Sequence, residues 1–264
     1  MIPIRRGKQI DYMRTACGIA RDILLESAKA IQPGVTTGEI DHFAAELIKS
    51  KGCKSAFLNY RGFPGHICIS MNEEVVHGIG GARRIQPGDI VKIDVGIVTK
   101  DGWVGDNALT VPVGNIDPET QRLLYVTEES LHVAIEHARE GMMLGDLCHS
   151  IEQCVVDHGY SVVREFVGHG VGRKLHEEPQ IPNFGKKGKK PRLKAGMFLA
   201  IEPMVNMGTA NVRILEDEWT VVTNDAKPSS HFEHTVHVTD GEPEIMTWRE
   251  RSTTAAAVDK IPVA

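Results

Sequence analysis

Asp89-Ile90-Val91-Lys92-Ile93-Asp94-Val95-Gly96-Ile97-Val98-Thr99-Lys100-Asp101-Gly102-Trp103-Val104-Gly105-Asp106 reads as two strands joined by a turn. Val91, Ile93, Val95 and Ile97 alternate and bury one face, which sends Lys92 and Asp94 to the other. A carboxylate in the middle of such an apolar strand is costly unless something pairs with it. Asp106 follows on the returning strand, and two carboxylates brought together repel unless a cation or a shared proton separates them. The stretch therefore poses a question to the rest of the chain: does it supply the remaining ligands of a metal site?

The bulk composition leaves that open while removing other classes. A chain of 264 residues, 41% hydrophobic and 25% charged, builds a sizeable globular core. A formal charge of −5 argues against a general polyanion binder, though a local basic patch stays possible. No apolar run reaches the roughly 20 residues that span a bilayer. Met1-Ile2-Pro3-Ile4-Arg5-Arg6 has no apolar signal core behind it. Cys17, Cys53, Cys68, Cys148 and Cys154 form no CxxC pair, which fits a reducing cytoplasm.

Outside the acid stretch, Ile10, Met13, Ala16, Cys17, Ala20, Ile23, Leu24 and Ser27 form one helical stripe, ended by Pro33-Gly34. Thr37 is the expected cap of a second helix, Gly38 to about Ser50, with Phe43, Leu47 and Ile48 inward. Strand-like pieces follow at Ala56–Leu58, His66–Met71 and Glu74–His77. After the hairpin the pattern restarts: a helix from Pro118 to about Arg139, a second from Leu144 to His158, then strands, among them Trp219–Val222 and a run His231–Val238. Gly34-Val35-Thr36-Thr37-Gly38-Glu39-Ile40 aligns with Gly141-Met142-Met143-Leu144-Gly145-Asp146-Leu147, and the same offset puts Gly52 on Gly159. One residue further, Pro87-Gly88-Asp89-Ile90-Val91-Lys92-Ile93-Asp94 aligns with Ala195-Gly196-Met197-Phe198-Leu199-Ala200-Ile201-Glu202. The chain thus reads as two similar halves, with Glu202 standing where Asp94 stands.

The candidate ligands are Asp94, Asp106, Glu202, Glu233 and His169, the last between glycines that let the backbone approach a site closely. Four carboxylates and one imidazole suit Mn, Fe, Co or Zn held as a pair. Two ions about 3.5–4 Å apart activate a bridging water and polarise a carbonyl. Other motifs fail: His176-Glu177-Glu178-Pro179-Gln180 has Gln180 where HExxH needs histidine, and neither GxGxxG, a Walker A loop nor GxSxG occurs. Between His176 and Gly196 lies extra sequence with Lys186, Lys187, Lys189, Lys190, Arg192 and Lys194, either a solvated loop or a contact for a phosphate backbone. The polar tail from Arg249 is expected to be mobile or loosely docked.

These residues carry a resemblance. Cys68-Ile69-Ser70-Met71-Asn72-Glu73-Glu74-Val75-Val76-His77-Gly78, Ile93-Asp94-Val95, Gly105-Asp106, Gly168-His169-Gly170-Val171-Gly172, His176-Glu177-Glu178-Pro179, Ile201-Glu202-Pro203 and Phe232-Glu233-His234-Thr235 together resemble the type I methionine aminopeptidases of peptidase family M24. The likeness runs from about residue 8 to 248. It implies an α+β class and the pita-bread (creatinase/aminopeptidase) fold, with two pseudo-symmetric halves of two helices and antiparallel strands around a central curved sheet. It further implies a single catalytic domain over residues 1–264, halves at about 10–115 and 116–245, and a tail at 249–264. The implied activity is removal of the initiator methionine from nascent chains by a cytoplasmic monomer that does not engage membranes.

By the same resemblance, Asp94, Asp106, His169, Glu202 and Glu233 hold two divalent ions (Co, Mn, Fe or Zn). Glu202 also relays the proton from the attacking water to the leaving amine, His176 stabilises the oxyanion, and His77 hydrogen-bonds the peptide. Phe57, Tyr60, Phe63, Cys68, Leu175 and Trp219 are implied to line the methionine pocket, although Phe57 stands where a smaller residue is usual and Leu175 where Phe is common. The Asp94–Asp106 interval is one residue longer than usual; with a two-residue Asp101-Gly102 turn the two acids fall on opposite faces, so a β-bulge between Val95 and Lys100 is expected. The Lys186–Lys194 loop is a candidate contact with ribosomal RNA. The alternatives are a proline-specific peptidase of the same fold, which carries an extra N-terminal domain, and a non-catalytic binding protein of that fold.

Overall fold

The computed structural model describes residues 1–253; the rest of the tail expected at 249–264 lies outside the described residues. Helix α1, Lys8–Lys29, buries the expected stripe from Met13 to Ser27, with Ile10 half-buried. Helix α2 spans Thr37–Ser50, but its cap is Thr36 rather than Thr37. Thr36 accepts from the Glu39 amide while the Glu39 carboxylate accepts from the Thr36 amide, which satisfies two otherwise orphaned donors. The inward stripe is Ile40, Ala44 and Ile48; Phe43 sits off it and is 40% exposed, contrary to expectation, and Leu47 is half-buried. Helix α3, Pro118–Glu136, starts from an Asp117 cap with proline in its first turn and ends short of Arg139; α4 spans Leu144–Asp157.

The acid stretch forms the strands Ile90–Val98 and Val104–Pro112. Their register is regular from Ile90↔Pro112 to Val98↔Val104, so the expected β-bulge is absent. The connection is a loop from Thr99 to Trp103, wider than the two-residue turn, in which the Thr99 amide donates to the Trp103 carbonyl. That changes the pairing parity. Gly96 faces Asp106 and Asp94 faces Ala108, so both acids lie on one face without any irregularity. The strand is buried on both faces. Helix α1 covers the Ile97 and Gly105 side, where a Cβ on Gly105 would lie 2.3 Å from the Ala16 carbonyl oxygen. The acid side meets the second half of the chain.

Cys68–Met71 and the short Lys54–Ser55 also pair with Ile90–Val98, so the pieces expected at His66–Met71 and Ala56–Leu58 are shorter or displaced. Glu74–Val76 pairs with Val221–Thr223, the latter later than the expected Trp219–Val222. In the second half an antiparallel sheet runs in the order Glu244–Ile245, His234–His237, Phe198–Ile201, Val167–Gly170, Glu177–Pro182. The run expected as one strand over His231–Val238 is split. Ser229–His231 pairs with Met204–Asn206, His234–His237 with Phe198–Ile201, and Phe232-Glu233 crosses between the two sheets. At the crossing the Glu233 amide donates to the Ala108 carbonyl of the acid hairpin.

Further links fasten the halves. Thr110 Oγ1 donates to the His231 carbonyl at 2.7 Å. The buried Lys92 ammonium donates to the carbonyl oxygens of Asn72 and Ser229, at 2.8 and 2.9 Å. The start of the tail is not loose, as had been expected: Arg249 is 5% exposed and donates to the Ala108 and Glu233 carbonyls, and Ser252 and Thr253 donate to the buried Glu128. The larger apolar core runs from Met13 in α1 to Met246, and a smaller one gathers Val75, Val76, Val163, Met204 and Val221.

Gly105→Ala is expected to destabilise the protein by about 1–3 kcal/mol, because the methyl meets helix backbone rather than a movable side chain. Urea unfolding measures this; a change below about 0.5 kcal/mol would show that α1 shifts freely on the hairpin.

Candidate metal centre and substrate cavity

Each candidate ligand arrives from a different piece of this framework. Asp94 and Asp106 come from the hairpin, His169 from Val167–Gly170, Glu202 from the end of Phe198–Ile201, and Glu233 from the crossing between sheets. The glycines flanking His169 have a steric reason: a Cβ would lie 2.4 Å from the Ala200 oxygen at Gly168 and 2.2 Å from the Glu178 oxygen at Gly170. Ligand atoms of Asp106, His169 and Glu233 lie within 4.8 Å of one another. His169 Nε2 is 3.5 Å from Glu202 Oε1 and 3.8 Å from Asp106 Oδ2.

Burial without hydrogen-bond partners marks the group. Asp94 Oδ1, Asp106 Oδ1 and Glu233 Oε1 are all enclosed and unpaired. Burial pushes the Asp94, Glu202 and Glu233 carboxyls well above the usual carboxylate range, and the neighbouring acids push them further. Asp106 rises to about 7 from burial, opposed by the Asn107 amide. The His169 imidazole falls to about 3, chiefly from burial and then from His176, so it is neutral at pH 7 and has a lone pair to give. Protein groups do little to balance these acids; Arg249 behind Glu233 opposes only part of its rise. Four oxygen donors and one neutral imidazole, converging in a water-poor interior with orphaned lone pairs, fit divalent cations of borderline hardness.

The cluster sits in a cavity of about 710 Å³ whose walls include all of the expected residues: the five candidate ligands, His77, His176, and Phe57, Tyr60, Phe63, Cys68, Leu175 and Trp219. The apolar end is aromatic. Phe63 meets Trp219 edge-on at 5.2 Å, and His77 meets both Trp219 and Phe166 edge-on. Phe57 fits because Gly96 carries no side chain: a Cβ there would lie 2.5 Å from the Phe57 ring. His77 holds a left-handed backbone, φ 59°, which a non-glycine residue adopts only when its surroundings impose it. Its imidazole is pushed down to about 4 by burial and then by His176. His176 is lowered too, by burial and then Arg61, and its Nδ1 lies 2.7 Å from the Tyr60 hydroxyl.

Sequence reasoning missed Val76, Phe166 and Met204 in the wall, and above all His231 beside Glu202. His231 Nε2 is 3.5 Å from Glu202 Oε2, is buried, and has no hydrogen-bond partner. The available signal was its position two residues before Glu233 in a strand-like run. Arg249 was also missed, since a polar tail gives no sign of burial.

With this geometry the chain was compared with known proteins. A family model for metallopeptidase family M24 matches residues 11–240. Methionine aminopeptidase 1 of Bacillus subtilis is 48% identical over 247 residues, covering 94% of this chain and 99% of the relative. The crystal structure of methionine aminopeptidase from Thermotoga maritima superposes with a TM-score of 0.92 at 43% identity, over 94% of this chain and all of that one. A prolidase from Pyrococcus furiosus shares the fold, with a TM-score of 0.77 at 24% identity over 94% of this chain, of which 66% of the prolidase is the counterpart.

The raised carboxyls fix the sign of a pH effect. An acid that binds its proton more tightly when folded contributes stability that is complete below the unfolded value, near 4, and is lost as pH rises through the folded one, about 7 for Asp106. Buried histidines titrate in the opposite sense, so the informative quantity is a difference. In chelated protein, Asp106→Asn is expected to gain stability relative to wild type as pH rises from about 4 to 7, by about 3 °C or more in Tm, while Mn(II) affinity measured by calorimetry falls. A mutant that loses stability relative to wild type over that range would contradict the assignment of Asp106.

Proposed function

The chain belongs to metallopeptidase family M24, and we propose that it is a methionyl aminopeptidase, a metallo-exopeptidase that removes the initiator methionine from nascent polypeptides. The observation that carries this reading is the unpaired, buried acid–imidazole cluster at one end of an aromatic-lined cavity. Asp94, Asp106, His169, Glu202 and Glu233 would hold two divalent ions (Co, Mn, Fe or Zn). Such ions supply a water of lowered pKa and a polarised carbonyl when bound.

The chain's own residues do the rest. Glu202 takes the proton of the attacking water and hands it to the departing amine. Its carboxylate lies between the edges of His169 and His231, each 3.5 Å away, which limits its rotation. His176 is neutral, and its Nδ1 lies 2.7 Å from the Tyr60 hydroxyl; in the tautomer whose Nδ1 accepts from Tyr60, Nε2 carries the proton that goes to the developing oxyanion. His77, also neutral, hydrogen-bonds the substrate peptide. Phe57, Tyr60, Phe63, Leu175 and Trp219 surround the thioether, and burial holds the Cys68 thiol protonated, so it acts as a soft apolar surface. The substrate's free amino terminus sits near Asp94, which restricts cleavage to the first bond.

The same reading takes residues 1–264 as one catalytic domain of two pseudo-symmetric halves, about 10–115 and 116–245, working as a cytoplasmic monomer. No helix among the described residues is long and apolar enough to cross a membrane. The basic loop is a collar on the start of α4: Leu144 and Gly145 donate to the Pro191 and Lys189 carbonyls, which leaves Lys186, Lys187, Lys189 and Lys190 exposed. Those lysines are proposed to contact ribosomal RNA.

Metal-reconstituted enzyme is expected to release methionine from Met-Ala-Ser, with Met-Leu-Ser and Ala-Pro far slower, and Glu202→Ala to lose at least about 100-fold in kcat. Cleavage of Ala-Pro instead would move the protein to the proline-specific branch, and inactivity with Mn, Fe and Co would point to a non-catalytic binder. Neutralising the four lysines should weaken ribosome binding and flatten its salt dependence without slowing tripeptide cleavage; unchanged cosedimentation would remove the ribosomal contact.

A further inference from the structure

Ahead of α1 the chain runs as an arm with alternating faces. Ile2 and Ile4 pack on the core, whereas Met1 and Pro3 line the cavity that holds the acid cluster. The arm is tied down just beyond. The Arg5 amide donates to the Gly196 carbonyl at 2.8 Å, and the Arg5 guanidinium meets both Glu177 carboxylate oxygens at 2.7 Å. Glu177 also accepts from the amides of Arg173 and Lys174, which shapes the turn leading to Leu175 and His176. Two glycines make room for the arm: a Cβ would lie 2.8 Å from Arg5 Nη2 at Gly172 and 2.5 Å from the Arg5 oxygen at Gly196. The Arg5 and Arg173 guanidiniums both lie over Trp103, at 5.5 and 4.1 Å from the ring centre, so the arm also touches the tip of the acid hairpin.

The position of this arm is not explained by metal binding or by the methionine pocket. Met1 is fully exposed and Pro3 half-buried, whereas Asp106 and Glu233 are buried and Asp94 and Glu202 half-buried, so the arm stands at the mouth of the cavity. A peptide held by its first residue inside leaves through that mouth. Pro3 has no N–H to donate to a passing chain, and its ring presents apolar surface to the cavity. We propose that Met1–Pro3 forms the outer wall of the substrate cavity and reads, by shape and apolar contact, the substrate residues beyond the scissile bond. This rests on the aminopeptidase reading above. Arg5 is a positioning residue that holds the wall in place through Glu177.

The test compares a substrate whose leaving group is a single arylamine with one that continues past the cleaved bond as a peptide. KM and kcat are measured for Met-p-nitroanilide and for Met-Ala-Ser-Lys, using metal-loaded wild type, Pro3→Gly and Arg5→Met, with Tm recorded for each. Both variants are expected to raise KM for the tetrapeptide by roughly three- to tenfold, the loss of about one apolar contact, and to change the ratio of the two specificity constants accordingly. Equal losses on both substrates, or no loss on either, overturn the wall while leaving the aminopeptidase reading intact. Failure of wild type to release methionine from either substrate overturns that reading and the wall with it.

Discussion

Everything in this molecule answers to one electrostatic constraint: four carboxylates held inside a protein with too little positive charge to balance them. Left alone, they would take up protons or push the structure apart. Resisting that takes strands fixed on both faces. Helix α1 lies on one side of the acid hairpin, so closely that Gly105 has no room for a side chain, and the crossing that delivers Glu233 is hydrogen-bonded to Ala108 on the other. The stability of the framework supports a cluster that is itself unfavourable, which is how functional sites usually stand in relation to the folds around them.

Two buried basic side chains back that arrangement without entering the cavity. Lys92 reaches away from Asp94, its neighbour on the same strand face, to bind the carbonyls of Asn72 and Ser229. Arg249 lies behind Glu233, and burial pulls it down to about 10, so it still carries its charge at neutral pH. Each ties main chain from separate parts of the sequence to the strands that carry ligands. Neither is recognisable as important from its neighbours in sequence.

Much of the site was legible because its residues interrupt patterns that physics otherwise keeps unbroken. Asp94 and Glu202 stand out as charges in apolar strands, and the internal repeat matches one to the other. What failed was geometry set by distant contacts. Asp101-Gly102 looks like a two-residue hairpin turn, yet the loop opens wider, with the Arg173 guanidinium on the Asp101 carbonyl and Trp103 lying under Arg5 and Arg173. The real loop needs no bulge to bring the acids together. In the same way, His231–Val238 has the composition of one continuous strand; only the Ala108 carbonyl and the two receiving sheets show why it breaks at Phe232-Glu233. Arg249 was assigned to a loose tail because composition reports polarity, and says nothing about the buried Ala108 and Glu233 carbonyls that it reaches.

The crossing at Phe232-Glu233 has a consequence for the order of synthesis. Asp94 and Asp106 emerge early, and Glu233 only after all four helices have been made. A growing chain therefore exposes two neighbouring acids long before the last proposed ligand exists to close the cluster around them. Until Glu233 arrives the hairpin lacks the hydrogen bond that Ala108 accepts from it and the last of the four acids, so the nascent enzyme is a half-built cage.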